Sequence, residues 1–254
     1  MVKYDPKMAI KTSLNYSPNF DPKKRKANQI KFLIFHYTGM RTEKVAINRL
    51  TDIKSEVSSH YLIKQTGQVI TLVPDLYIAW HSGKSNWKKY KSLNRNSIGI
   101  EITNHGHSFG YKKFPKKQIL SLIKLTKFLI NKYKIKKKNI LGHSDIAPER
   151  KKDPGEKFPW QHLSKKKIGY WHSLSQKILT KNRILKINNL QKNLFYKNIY
   201  KIGYSKKIPL NFKHRKNNYL KKVTKAFQRR FSPEIVNGKI DRECLIISQN
   251  LAKQ

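Results

Sequence analysis

The stretch His143-Ser144-Asp145-Ile146-Ala147-Pro148-Glu149-Arg150-Lys151-Lys152-Asp153-Pro154-Gly155 contains a histidine, His143, and an aspartate, Asp153, that could share a metal ion. An imidazole nitrogen and a carboxylate oxygen are both ordinary zinc ligands. The apolar run Asn139-Ile140-Leu141-Gly142 ahead of His143 predicts a buried strand. His143 would then stand at a strand end, where open α/β sheets build their sites. Pro148, Pro154 and Gly155 exclude a long regular helix and predict a loop that returns Asp153 toward His143. A catalytic zinc takes three protein ligands and leaves a fourth position open. The run Ile30-Lys31-Phe32-Leu33-Ile34-Phe35 predicts a central strand buried on both faces, and His36 follows it directly. A histidine there can also be a core imidazole bonded to backbone. In the company of His143 and Asp153, it is the candidate third ligand.

A metal-activated water needs a base beside it. Ser97 to Thr103 alternates, with Ile98, Ile100 and Ile102 on one face and Gly99 and Glu101 on the other. An ionised glutamate is costly to bury unpaired. Glu101 therefore meets a cation, faces a cleft, or lies exposed on an edge strand; the first two would make it the base. Ala79-Trp80-His81-Ser82-Gly83 with Trp87 reads either as a ligand-binding wall or as an aromatic plug. His60 is expected to be structural. His105-Gly106-His107 has chelating spacing but is expected to be a surface loop.

These residues need a frame. Thr42 can cap a helix to about Val57, with Ala46, Leu50, Ile53 and Val57 on one face. Two strands, Ser58 to Gln65 and Gln68 to Val73, join at Thr66-Gly67. Pro115 opens a helix to about Tyr133. The expected fold is α/β, a mixed central sheet flanked by helices, followed by a small α-helical region. The expected divisions are an N-terminal arm over 1–27, a catalytic domain over 28–163, a bridging helix over 164–180 and a helical domain over 181–254. Lys23-Lys24-Arg25-Lys26 is expected to be loose. In the last part, Val223, Ala226, Phe227 and Phe231 fit an amphipathic helix, and Asp241 can cap another that carries Cys244.

The 254 residues carry 56 Lys and Arg against 14 Asp and Glu, a formal net charge of +42. Such charge attracts anionic polymers: nucleic acid, cell-wall polymer or a membrane surface. The lysines are spread along the whole chain, as a compositional bias would spread them, and no nucleic-acid motif accompanies them. The single cysteine excludes an intramolecular disulfide and any multi-cysteine metal cluster. No apolar run approaches a membrane span, and the first residues lack the apolar core of a secretory signal. A cytoplasmic protein is expected, with the periplasm or envelope as the alternative.

Phe35-His36-Tyr37-Thr38, Ser58-Ser59-His60-Tyr61, Ala79-Trp80-His81-Ser82-Gly83, Ser97-Ile98-Gly99-Ile100-Glu101 and His143-Ser144-Asp145-Ile146-Ala147-Pro148, with Lys151, Asp153, Pro154 and Gly155, occur in one order. Together they resemble the zinc-dependent N-acetylmuramoyl-L-alanine amidases of the AmpD/AmiD type, which share the peptidoglycan-recognition-protein fold. The resemblance spans about residues 28 to 163. It implies one zinc ion on His36, His143 and Asp153, Glu101 as general acid/base, and Lys151 as the cation facing the developing oxyanion. Trp80, His81 and Asn94 are the expected substrate contacts. The implied partner is peptidoglycan or a muropeptide, cleaved between N-acetylmuramic acid and L-alanine, and not a specific nucleic acid. Ala226-Phe227-Gln228-Arg229-Arg230-Phe231 and Asn237-Gly238-Lys239-Ile240-Asp241 resemble a small peptidoglycan-binding module. A recognition module of the same fold without the chemistry is the alternative.

Overall fold

Phe32 to Phe35 carry no polar side chain, and a strand of that kind must be covered on both faces. The computed structural model describes residues 12–204 and 213–254, so residues 1–11 of the expected arm lie outside the described residues. Its strands are β1 (Thr12–Leu14), β2 (Phe20–Asp21), β3 (Phe32–Tyr37), β4 (Tyr61–Ile63), β5 (Val69–Thr71), β6 (Ile78–Ala79), β7 (Asn86–Trp87), β8 (Tyr90–Lys91), β9 (Ser97–Ile102) and β10 (Ile140–Gly142). Six form a mixed sheet in the order β1-β5-β4-β9-β3-β10. The β4–β5 hairpin is antiparallel; the other pairs of this sheet are parallel. In it β3 lies between β9 and the edge strand β10.

The helices are α1 (Glu43–Thr51), α2 (Lys116–Tyr133), α3 (His143–Ile146), α4 (Trp160–Lys165), α5 (Gln176–Asn182), α6 (Asn189–Ile202), α7 (Lys213–Phe231) and α8 (Arg242–Lys253). One sheet face is sealed by α2. Leu33, Phe35, Ile98, Ile100 and Ile102 share a core there with Ile119, Leu122, Ile123 and Leu129. Each such buried side chain contributes roughly 1.5–3 kcal/mol relative to exposure. On the other face, Phe32, Ile34 and Leu141 join a core with Phe195, Ile199, Phe227, Phe231, Leu245 and Ile247 of α6, α7 and α8. One apolar cluster thus runs from the sheet into the C-terminal helices. Among the described residues, no helix is long and apolar enough to cross a membrane.

Three expectations are corrected. The helix from Thr42 stops at Thr51: the Asp52 carboxylate accepts from the Lys54 amide and Glu56 takes a left-handed turn. Residues 164–180 are not one bridging helix. Lys167 and Gly169 both have positive φ, residues 170–175 form neither helix nor strand, and Ser175 then caps α5. Arg25 is not loose. It is buried, donating to the carbonyls of Asp75, Asn94 and Ser97 and contacting His60. Asp241 caps α8 as expected, accepting from the Cys244 amide.

Candidate metal centre

Sheet register puts three functional residues on one line. His36 on β3 pairs directly with Glu101 on β9. On the other side of β3, Gly142 of β10 pairs with Phe35, so His143, the next residue, stands level with His36. After His143 the chain makes the short helix α3 and turns back, and the Ser144 amide donates to the Asp153 carbonyl at 2.8 Å. His36 Nδ1 then lies 2.9 Å from His143 Nδ1 and 3.1 Å from Asp153 Oδ2, with His143 Nδ1 3.0 Å from the same oxygen. All three residues are buried.

Hydrogen bonds behind the imidazoles fix which nitrogens carry protons. The Ser97 hydroxyl donates to the Leu93 carbonyl at 2.6 Å, so its oxygen accepts from His81 Nε2 at 3.1 Å. His81 Nδ1 is then bare and accepts from His36 Nε2 at 3.1 Å. In a neutral imidazole this leaves His36 Nδ1 as a lone pair facing the centre. His143 Nε2 donates to the Ser82 carbonyl at 3.2 Å, which likewise leaves its Nδ1 bare. Two lone pairs and a carboxylate oxygen confront one another in a buried space with no hydrogen among them. That arrangement is repulsive unless a cation fills it, and two imidazoles with a carboxylate are a zinc donor set. The residues present therefore fit a divalent metal.

The electrostatics agree. Burial, then His143, lower the His36 pKa to about 4, which keeps the ring neutral. Burial, then Asp153, push Glu101 up to about 8 against the pull of Lys151. Its Oε2 is buried without a hydrogen-bond partner. A positive charge at the centre would favour its ionised form.

The centre lies in a cleft of about 570 Å³ whose walls include Tyr37, Arg49, Trp80, Glu101, His107 and Lys151. Trp80 is 37% exposed and lines that space. Lys151 lies on the wall, with Lys152 beside it. His81 has both ring nitrogens engaged, so it orients His36 and has no ring nitrogen left for substrate. Asn94 is not brought to the cleft. Its Oδ1 accepts from the amides of His81 and Ser82 and from the Ser82 hydroxyl, holding that loop from behind.

Sequence reasoning missed several neighbours. Ser97 completes the His36–His81 chain. Gly99 leaves room for it: a Cβ there would overlap the His81 ring. Arg150 donates to the Ser82 and Lys84 carbonyls and pins the loop that holds His143. His107, expected in a surface loop, contacts the Tyr37 hydroxyl at 2.8 Å and Glu156 at 3.1 Å. The Gly99–Glu101 alternation pointed toward the first two; no spacing signalled the others. His60 is structural as expected, its Nδ1 accepting from the Gly99 amide.

Comparison with known proteins follows the same lines. A family model described as N-acetylmuramoyl-L-alanine amidase (Amidase_2) matches residues 26–156. The N-acetylmuramoyl-L-alanine amidase AmiD of Escherichia coli is 34% identical over 238 residues, covering 89% of this chain and 83% of that protein. The solved complex of E. coli AmiD with anhydro-N-acetylmuramic acid-L-Ala-D-γ-Glu-L-Lys superposes with a TM-score of 0.76 at 33% identity, covering 89% of each chain. Pseudomonas aeruginosa AmpDh3 superposes with a TM-score of 0.75 at 28% identity, covering 100% of this chain and 98% of that one.

Proposed function

The chain belongs to the N-acetylmuramoyl-L-alanine amidase family, and from that premise we propose how it works. It hydrolyses the amide between N-acetylmuramic or anhydro-N-acetylmuramic acid and the L-alanine of the stem peptide, in peptidoglycan turnover or recycling. His36, His143 and Asp153 would hold one zinc ion. When bound, zinc supplies Lewis acidity, acidifying water and polarising an amide carbonyl. Glu101 takes the proton of the attacking water and returns it to the leaving nitrogen. The C–N bond breaks, a C–O bond forms, and the products are a lactyl carboxylate and the free amine of L-alanine. Lys151 faces the carbonyl oxygen as negative charge grows on it; a lost oxyanion partner typically costs ~3 kcal/mol. Trp80 forms a wall for the substrate. His81 acts one step back, by holding the His36 tautomer. Residues 28–163 are the amidase region, and residues 181–254 a helical, peptidoglycan-binding-like region.

One observation carries the reading: three electron-pair donors meet in a buried space, with an unpartnered carboxylate oxygen of Glu101 in the adjoining cleft wall. A recognition module without chemistry would have no use for that unpartnered oxygen. Mass analysis of products from a muropeptide and from intact sacculi, with and without chelator, tests it. Free stem peptide should appear, vanish with chelator and return with zinc. Full activity in metal-free protein or in His36→Ala would overturn the reading.

A further inference from the structure

Two residues past His143, Asp145 lies almost wholly buried, and so does the cation that meets it. Arg230 comes from α7, 85 residues away, and its Nη1 contacts Asp145 Oδ2 at 2.5 Å. The two side chains are 2% and 1% exposed. The same carboxylate oxygen accepts from the Gly142 amide at 2.8 Å, and the Tyr204 hydroxyl donates to Oδ1 at 2.7 Å. Arg230 also donates through Nη2 to the Ile140 carbonyl at 3.0 Å. Its guanidinium lies over the Trp160 ring, 4.2 Å from the centroid.

We infer that Arg230, supported by Tyr204, is a positioning residue for the metal centre, acting through Asp145. The residue before His143 is tied by its amide to Asp145, and the residue after it is tied by its amide to the Asp153 carbonyl. His143 thus rides on a segment whose two flanking amides are both anchored. Arg230 bonds the strand carbonyl at Ile140 and the Asp145 carboxylate together, so strand end and ligand loop are held as one piece. Breaking a buried pair by removing one partner leaves an uncompensated group and is strongly destabilising. Without Arg230 the Asp145 side chain loses its tie to the Ile140 carbonyl and must shift to find other partners, which releases the Gly142 amide. The next residue back reinforces the arrangement. Arg229 Nε is 4.0 Å from Glu156, the far end of the same loop, and Glu156 holds His107 against Tyr37 in the cleft wall. The C-terminal helices therefore hold the geometry of the centre itself, whatever they bind on their outer surface.

The test uses the full chain and the variants Arg230→Lys, Arg230→Met and Tyr204→Phe. Zinc affinity is measured by competition with a chromophoric chelator, fold by near- and far-UV circular dichroism, and kcat and KM on a muropeptide. Arg230→Lys and Tyr204→Phe should keep the fold, bind zinc about 10-fold more weakly, and lose kcat with KM little changed. Arg230→Met should lose more, and Arg230→Lys should recover part of that loss. If Arg230→Lys and Tyr204→Phe fold normally with unaltered zinc affinity and kcat, the inference is wrong, whether or not Arg230→Met folds. Only the kcat arm rests on the amidase reading. Weakened zinc binding in variants of a protein that releases no stem peptide would sink that reading and uphold the positioning role.

Discussion

The sheet face toward α2 and the cleft end of the opposite face, beyond the apolar Phe32 and Ile34, are built on opposite plans. Toward α2, β3 and β9 present Leu33, Phe35, Ile98, Ile100 and Ile102 to a broad apolar layer, where many contacts share the work. Toward the cleft, the same strands present His36, Ser97 and Glu101, each acting through one or two identified atoms. The difference teaches where stability and chemistry reside. Loss on the first face should appear in unfolding, and loss on the second in metal binding and rate. The sharpest test pairs Glu101→Gln with Leu122→Ala. Glu101→Gln should lower kcat by ~10³-fold through loss of the base while zinc stays bound. Leu122→Ala should cost ~2–5 kcal/mol in urea unfolding and leave kcat per folded molecule unchanged. A comparable fall in kcat for both would break the separation.

The cleft face should also give stability its pH dependence. In metal-free protein, burial and Asp153 raise Glu101 to about 8. Between its ordinary value near 4.5 and about 8, Glu101 is protonated in the folded chain and ionised in the unfolded one. The folded state binds more protons there, so this contribution is full below that window and is lost as pH rises through it. The total is on the order of 4 kcal/mol. His36, held neutral at about 4, works the other way below its ordinary value of 6.5, but it is common to wild type and Glu101→Gln. The difference between those two proteins isolates Glu101. Urea unfolding of the metal-free proteins at pH 5 and pH 8 should show the advantage of Glu101→Gln growing with pH; a constant difference would contradict the burial argument.

The same asymmetry explains what the sequence could reveal. A nearly continuous apolar run announced β3, a period-two pattern announced β9 and a period-3.6 pattern announced α2, because broad apolar contact needs only residues of the right type at the right interval. His36, Glu101 and His143 were legible because each sits at a position such patterns define, a strand end or an inward face. Pro148, Pro154 and Gly155 made the return of Asp153 readable as well. Ser97 at His81, His107 between Tyr37 and Glu156, and Arg230 on Asp145 obey no period, since one hydrogen bond can join residues at any separation. Asn94 was misplaced for the same reason: an asparagine beside a cleft and one behind its wall look alike in sequence. The bridging helix failed where lysine-rich helical composition met the left-handed turns at Lys167 and Gly169.

Gly99 tests whether the apolar plan can intrude on the polar one. On the α2 face an added methyl costs packing. At Gly99 the methyl would meet the His81 ring and push it off His36 Nε2. Gly99→Ala should therefore fold and yet bind zinc 10–100-fold more weakly, the range typical when the partner of a metal-bound imidazole is lost. Chelator competition measures it, and unchanged affinity would mean that His81 does not govern His36.

The smallest expected effect lies one bond further out. Ser97→Ala removes the oxygen that accepts from His81 Nε2 and leaves the His81 ring in place. His81 can then bind a proton on either nitrogen, and only one of those tautomers accepts from His36. Half of the preference for a bare His36 Nδ1 is lost, not the contact, so zinc affinity should fall by about 10-fold or less, with KM unchanged. A Ser97→Thr variant keeps the hydroxyl and should restore most of the affinity. If Ser97→Ala were as damaging as Gly99→Ala, the serine would be holding His81 in place instead of setting its tautomer, and the cleft face would depend on packing as the α2 face does.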